Sequence, residues 1–142
     1  NEICHLREWD EKREQDWDLR KYPTHDSFYR FMSELNALYL TQPALSERDY
    51  CEDGFTWIDC HQEEKCVYAI SRKSHTGELI AVFNFNDREQ TYMLPEKYVE
   101  EKYEILLYTD WEKYGGSCPL SGNVMAAGTI VLEKFSGVLI KI

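Results

Sequence analysis

Gly54-Phe55-Thr56-Trp57-Ile58-Asp59 is the first run of this chain that reads as a β-strand, with aromatic and β-branched residues directly after a glycine. From Tyr50 onward, runs of this kind recur at spacings of roughly ten residues between turn residues, the pattern of an antiparallel β domain. The pattern predicts strands over 55–59, 66–72, 79–84, 91–94, 104–109, weakly 123–126, 129–134 and 137–142. Ser74-His75-Thr76-Gly77 and Ser136-Gly137 read as hairpin turns, and 114–122 as a longer loop rich in Gly, Ser and Pro. Ile130 and Leu132 share one face, as do Val138, Ile140 and Ile142, and a sandwich is the simplest way to bury such strands. Inside a strand, Trp57 is expected to be packed away from solvent.

Upstream, the period changes near Pro43. Phe28, Phe31, Met32, Leu35, Leu38 and Tyr39 recur at helical spacing, with Thr24 as the expected N-cap, Asp26 facing the positive end of the dipole and Pro43 as the stop. Before that helix, residues 1–21 alternate acids and bases around Trp9 and Trp17 with no apolar stripe, which reads as an irregular segment with a short helical stretch.

The 142 residues carry 26 acids against 16 bases, a net charge of −10, and the bases are scattered among the acids. That balance argues against a nucleic-acid partner and against a polyanionic membrane surface. With 43% hydrophobic and 14% aromatic residues the chain has the means to bury a core. The longest apolar run, Leu79-Ile80-Ala81-Val82-Phe83, is far short of the roughly 20 residues of a spanning helix. No basic-then-apolar leader pattern opens the chain, and five cysteines suit a reducing compartment better than a disulfide framework, so the expected location is cytoplasmic.

Few residues point to chemistry by themselves. Cys60-His61 with Cys51 and Cys66 offers zinc-type ligands, but intervals of eight and five residues without a CxxC pair argue against a metal site, and no cofactor is implied. The acids Glu8, Asp10, Glu11, Glu14, Asp16 and Asp18 are interleaved with Arg7, Lys12, Arg13 and Arg20, as on a solvated face. His5, His25, His61 and His75 accompany no nucleophile elbow and no phosphate loop. Trp9 and Trp17, without an apolar stripe around them, either pack on a neighbour outside this sequence or line a binding surface.

The order of the motifs resembles the C-terminal end of the 1,4-alpha-glucan (glycogen) branching enzymes of the alpha-amylase superfamily. Arg7-Glu8-Trp9 followed by Asp16-Trp17 is similar to the REW and DW pair after the eighth barrel strand of that family. Tyr22-Pro23, Phe31-Met32, Leu35-Asn36-Ala37-Leu38-Tyr39 and Pro43-Ala44-Leu45 resemble its last barrel helix and exit. GFTWID at 54–59 resembles the signature that opens the C-terminal β domain, Val82-Phe83-Asn84-Phe85 its buried VxNF strand, and Thr109-Asp110 with Tyr114-Gly115-Gly116-Ser117 its TD…YGGS loop. Cys4-His5 departs from the family's Gly-Gln or Ala-Gln pair.

The resemblance implies a mainly β fold: a C-terminal antiparallel β-sandwich of Greek-key, alpha-amylase C-terminal-domain type, preceded by one amphipathic α-helix from the end of a (β/α)8 barrel. Residues 1–45 would be the terminal barrel segment and helix, and 46–142 the all-β domain. The parent would cleave α-1,4 linkages and transfer the chain to form α-1,6 branches. Asn1-Glu2-Ile3 matches the end of barrel strand eight, so the catalytic Asp, Glu and Asp would lie upstream and this piece would be inactive alone. Glucan contact is expected at Trp9, Asp16, Trp17, Tyr22 and Trp111, the partners being the missing barrel and an alpha-glucan. Apolar surface near the start, left without that barrel, is expected to favour self-association. The alternative is an autonomous glucan-binding sandwich gripping its ligand through Trp111 and Tyr114 beside Gly115-Gly116.

Overall fold

The computed structural model describes residues 2–8, 10–99, 103–120 and 125–142. Helix α1, Pro23–Thr41, begins with proline at its first position, where the missing N–H costs nothing. Its N-cap is Tyr22, in extended conformation and without a side-chain cap, so the expected capping role of Thr24 is corrected: Thr24 lies inside the first turn. Asp26 ion-pairs with Arg30 one turn on at 2.6 Å and with Arg20 at 3.2 Å. The helix ends where foreseen, Gln42 being extended ahead of Pro43, which itself starts the single turn α2, Pro43–Ser46.

Eight strands follow: β1 Phe55–Gln62, β2 Val67–Lys73, β3 Glu78–Asn84, β4 Gln90–Met93, β5 Glu104–Tyr108, β6 Met125–Ala126, β7 Thr129–Leu132 and β8 Gly137–Lys141, with a helical turn α3, Glu96–Val99, between β4 and β5. The weak strand expected over 123–126 is present in its second half, and 123–124 lie outside the described residues. All ladders between named strands are antiparallel, in a five-stranded sheet β1-β2-β3-β8-β5 and a three-stranded sheet β4-β7-β6. The β2–β3 hairpin closes as expected, Ser74 Oγ accepting the amides of Thr76 and Gly77 at 3.2 and 3.1 Å. The expected hairpin at Ser136-Gly137 is not one. β7 and β8 belong to different sheets, and the segment between them crosses the end of the sandwich with Phe135 at a φ of 52°. Alternating apolar residues suit two facing sheets as well as a hairpin, so periodicity alone did not distinguish them.

The core lies between the sheets, where Val67, Ile80, Val82, Val138 and Ile140 meet Tyr92, Met125, Ile130 and Leu132. Central strands β3 and β8 are buried on both faces, which explains their unbroken apolar runs. On the other face, Leu79, Ala81, Leu107 and Leu139 are covered by Phe31, Leu35 and Leu38 of α1 together with Ala44. The order of layers is therefore helix, five-stranded sheet, three-stranded sheet.

Two polar devices fix this arrangement. Asn84, 1% exposed at the end of β3, donates its amide to the carbonyls of Arg88, Leu132 and Glu133 and accepts the amide of Asn86, tying one sheet to the other. Glu34 of α1 accepts hydrogen bonds from Lys113 and from the Tyr114 hydroxyl (2.6 Å), and the Tyr114 ring meets Phe31 edge-on at 5.5 Å. The loop that carries them turns at Gly115, φ 86°, and Gly116 lies so close to the Asp110 carbonyl that a Cβ there would stand 2.0 Å from its oxygen.

Candidate functional site

The expected glucan-contact residues fall in two places. Asp16, Trp17 and Tyr22 lie at the start of α1, held by a segment whose Ile3 is fully buried and whose Ile3 carbonyl accepts a hydrogen bond from His25 Nδ1 at 2.8 Å. Asp16 is the hub. Arg7 Nε reaches its carboxylate at 3.1 Å and His5 Nε2 at 2.9 Å, while Arg7 Nη2 donates to the Glu14 carbonyl. The Arg7 hydrogen bond outweighs partial burial and holds the Asp16 carboxyl below the usual range. Around the hub, Glu2, His5, Arg7, Glu8, Asp10, Arg13, Glu14 and Gln15 line a depression of about 290 Å³.

Trp17 opens a 3-10 turn, Trp17–Lys21, and remains 51% exposed; Tyr22, 63% exposed, follows that turn with its ring edge toward His25. Trp17 also lines a hollow of about 380 Å³ whose far wall is Tyr29, Met32, Ser33 and Asn36 of α1. The helix thus turns Phe31, Leu35 and Leu38 to the sheet and lends a second face to the N-terminal segment. Trp9 lies outside the described residues.

Trp111 is elsewhere. It is 7% exposed, packs in the core between the sheets, and its indole Nε1 is buried without a hydrogen-bond partner among the described residues. An indole so enclosed offers no face to a sugar, which corrects the surface role expected for it. The β-domain residues read as a possible grip, Trp111 and Tyr114, are spent on packing. Trp57, expected inside, is 53% exposed instead, because β1 is an edge strand paired only with β2. Edge position is a property of sheet order, which local sequence does not encode.

Asp16, Asp26 and Glu34 all have lowered pKa values, the opposite of the raised value a general acid needs. Cys60 Sγ lies 3.6 Å from His61 Nε2, and among the described residues no three His, Cys, Asp or Glu side chains converge as metal ligands. The five cysteines are free thiols. No helix among the described residues is long and apolar enough to cross a membrane.

Residues 57–138, which run from the edge strand β1 into β8, match the family described as the alpha amylase C-terminal all-beta domain. The chain belongs to that family. Compared with curated proteins, this alpha-amylase C-terminal domain with its preceding helix is 38% identical over 135 residues to the 1,4-alpha-glucan branching enzyme GlgB of Hydrogenovibrio crunogenus, covering 93% of this chain and 18% of that protein. It is 37% identical over 128 residues to GlgB of Rhizobium meliloti, covering 89% of this chain and 17% of that protein. The chain spans less than a fifth of the length of such relatives. Among solved structures, the trehalulose synthase MutB from Pseudomonas mesoacidophila superposes with a TM-score of 0.59 over 85% of this chain and 18% of that one, at 21% identity. At that identity the likeness concerns the fold alone: the sandwich and helix described above.

Proposed function

We propose that this chain is the C-terminal portion of a 1,4-alpha-glucan branching enzyme, with residues 1–45 closing the catalytic barrel and 46–142 forming the β domain that supports it. The carrying observation is that likeness to branching enzymes extends over 93% of the chain, and so through α1, whereas the β-domain family match starts at residue 57. In this reading the parent cleaves α-1,4 linkages and transfers the freed chain to a 6-hydroxyl, with its catalytic carboxylates in the barrel upstream. Without that barrel this piece is inactive alone. Asp16, Trp17 and Tyr22 form the rim of the cleft, where two exposed aromatic rings beside an oriented carboxylate suit a neutral polyhydroxyl chain. The exposed side of α1, including Tyr39 and Leu40 at 46% and 82%, faces the barrel. The free cysteines and acidic charge fit a cytoplasmic enzyme.

The test is a graft. This chain replaces the equivalent C-terminal portion of the Rhizobium meliloti enzyme, and branching of amylose is followed by the fall in iodine absorbance. The expected result is activity well above that of the same enzyme truncated before the graft. A folded chimera no more active than the truncated enzyme overturns the proposal.

A further inference from the structure

α1 presents two sides of different chemistry. With Phe31, Leu35 and Leu38 turned to the five-stranded sheet, Tyr29, Met32, Ser33 and Asn36 form a second stripe about 140° round the helix. That stripe does not simply face solvent. Together with Glu2, Gln15 and Trp17 of the N-terminal segment it lines the hollow of about 380 Å³. Trp17 contributes a half-exposed indole. Across from it the helix offers a phenol, a hydroxyl and an amide from Tyr29, Ser33 and Asn36, the last two exposed. Gln15 and Glu2 complete the lining, the Gln15 amide donating to Glu2 Oε2 at 3.4 Å. Tyr29 is braced by Arg20, which is not among the lining residues: its guanidinium lies 3.8 Å from the ring centroid and pairs with Asp26. Leu40, at the apolar end of the same side, stands one turn beyond Asn36 and is left to the barrel.

We infer that this hollow is a subsite for one glucose unit of an alpha-glucan, with Trp17 as the stacking platform and Ser33 and Asn36 as hydrogen-bond partners; the inference rests on the branching-enzyme reading above and adds a helix wall to the rim at Asp16 and Tyr22. Three properties select that occupant. A sugar ring has apolar C–H faces and an edge of hydroxyls, so it calls for a flat aromatic face together with side chains that both donate and accept. An indole with a serine hydroxyl and two carboxamides, Asn36 and Gln15, meets both needs. Among the described residues the lining includes one carboxylate, Glu2, and no cation, which turns away a phosphorylated or otherwise anionic sugar. The volume lies near the lower end of the about 300–1,000 Å³ of small-molecule sites, room for a sugar ring rather than for a protein segment.

The experiment is isothermal titration of this chain with maltotetraose, with glucose 6-phosphate as the anionic comparison. The expected result is saturable heat from maltotetraose and none from glucose 6-phosphate. Affinity should fall about tenfold in Trp17→Ala, be partly retained in Trp17→Phe, and fall about three- to tenfold in Asn36→Ala and in Ser33→Ala. It should not change in Met93→Ala, an exposed position on β4 far from α1 in the layer order. Circular dichroism of each variant checks that helix and sandwich are intact. In the graft, Asn36→Ala should raise KM for amylose at unchanged kcat. No heat from the wild-type chain overturns the proposal, as does glucose 6-phosphate bound as tightly as maltotetraose. A loss in Trp17→Ala with none in Asn36→Ala and Ser33→Ala also overturns it, by placing the sugar on the outer rim at Tyr22. An active graft with no heat from the chain refutes the subsite alone; binding lost in Asn36→Ala alongside an inactive graft refutes the parent assignment alone.

Discussion

Glu34 sits in the middle of α1, with its carboxylate bound by two residues from the loop after β5. Burial by itself pushes its pKa up, but the hydrogen bonds from Lys113 and Tyr114 outweigh that and hold it below its ordinary value. On the other side, burial first and then the Glu34 hydrogen bond push the Tyr114 hydroxyl well above its ordinary value. The signs are opposite. A lowered carboxyl stabilises the fold above its unfolded pKa, near 4.5, and that contribution is lost as pH falls through the folded value. A raised phenol stabilises it below its unfolded pKa of 10.0, and that contribution is lost as pH rises through the folded value. Thermal melts across pH should therefore show an acid limb that flattens in Glu34→Gln and an alkaline limb that flattens in Tyr114→Phe. At neutral pH, Tyr114→Phe should cost about 1 kcal/mol, a Tm drop of roughly 4 °C, because Glu34 is partly solvated. An unchanged melting temperature would show that the contact between helix and loop is carried by Phe31 packing alone.

At the scale of elements, the joint between the two sheets depends on Asn84. Removing its amide leaves the carbonyls of Leu132 and Glu133 short of a donor in a buried place, so Asn84→Ala should cost about 2–4 kcal/mol in urea unfolding. Asn84→Asp should be no better, since it returns acceptors where donors are needed. A loss under half a kilocalorie in Asn84→Ala would mean that apolar contacts alone hold the sheets. The strands themselves were legible: every one of the eight was anticipated to within a few residues, because short β-branched runs between turns carry that information locally. What local sequence did not carry is neighbourhood. The passage of β7 and β8 into different sheets, the edge position that exposes Trp57 and the enclosure of Trp111 all follow from which strands pair, a long-range property. The same limit applied to the N-terminal site. Asp16, Trp17 and Tyr22 were read from motifs, whereas the Arg7 and His5 contacts that orient Asp16 appear only once the segment is folded.

Across the whole molecule, packing is uneven. α1 has no fully buried residue, while β3 and β8 are enclosed on both faces. Hydrogen exchange should accordingly run fastest in α1 and slowest in β3 and β8, with the difference widening at acid pH as Glu34 and Asp26 take up protons. Equal protection of α1 and β8 would contradict this gradient. The strand order has a temporal side as well. β3 finds its second partner in β8, which follows it much later in the chain, so the meander β1-β2-β3 emerges with one edge of β3 unpaired. Just over fifty residues, 85–136, separate the two strands, which at translation speeds of about 5–20 residues per second leaves that edge open for about 3–10 s. The interval makes the nascent chain a customer for whatever shields exposed strands at the ribosome.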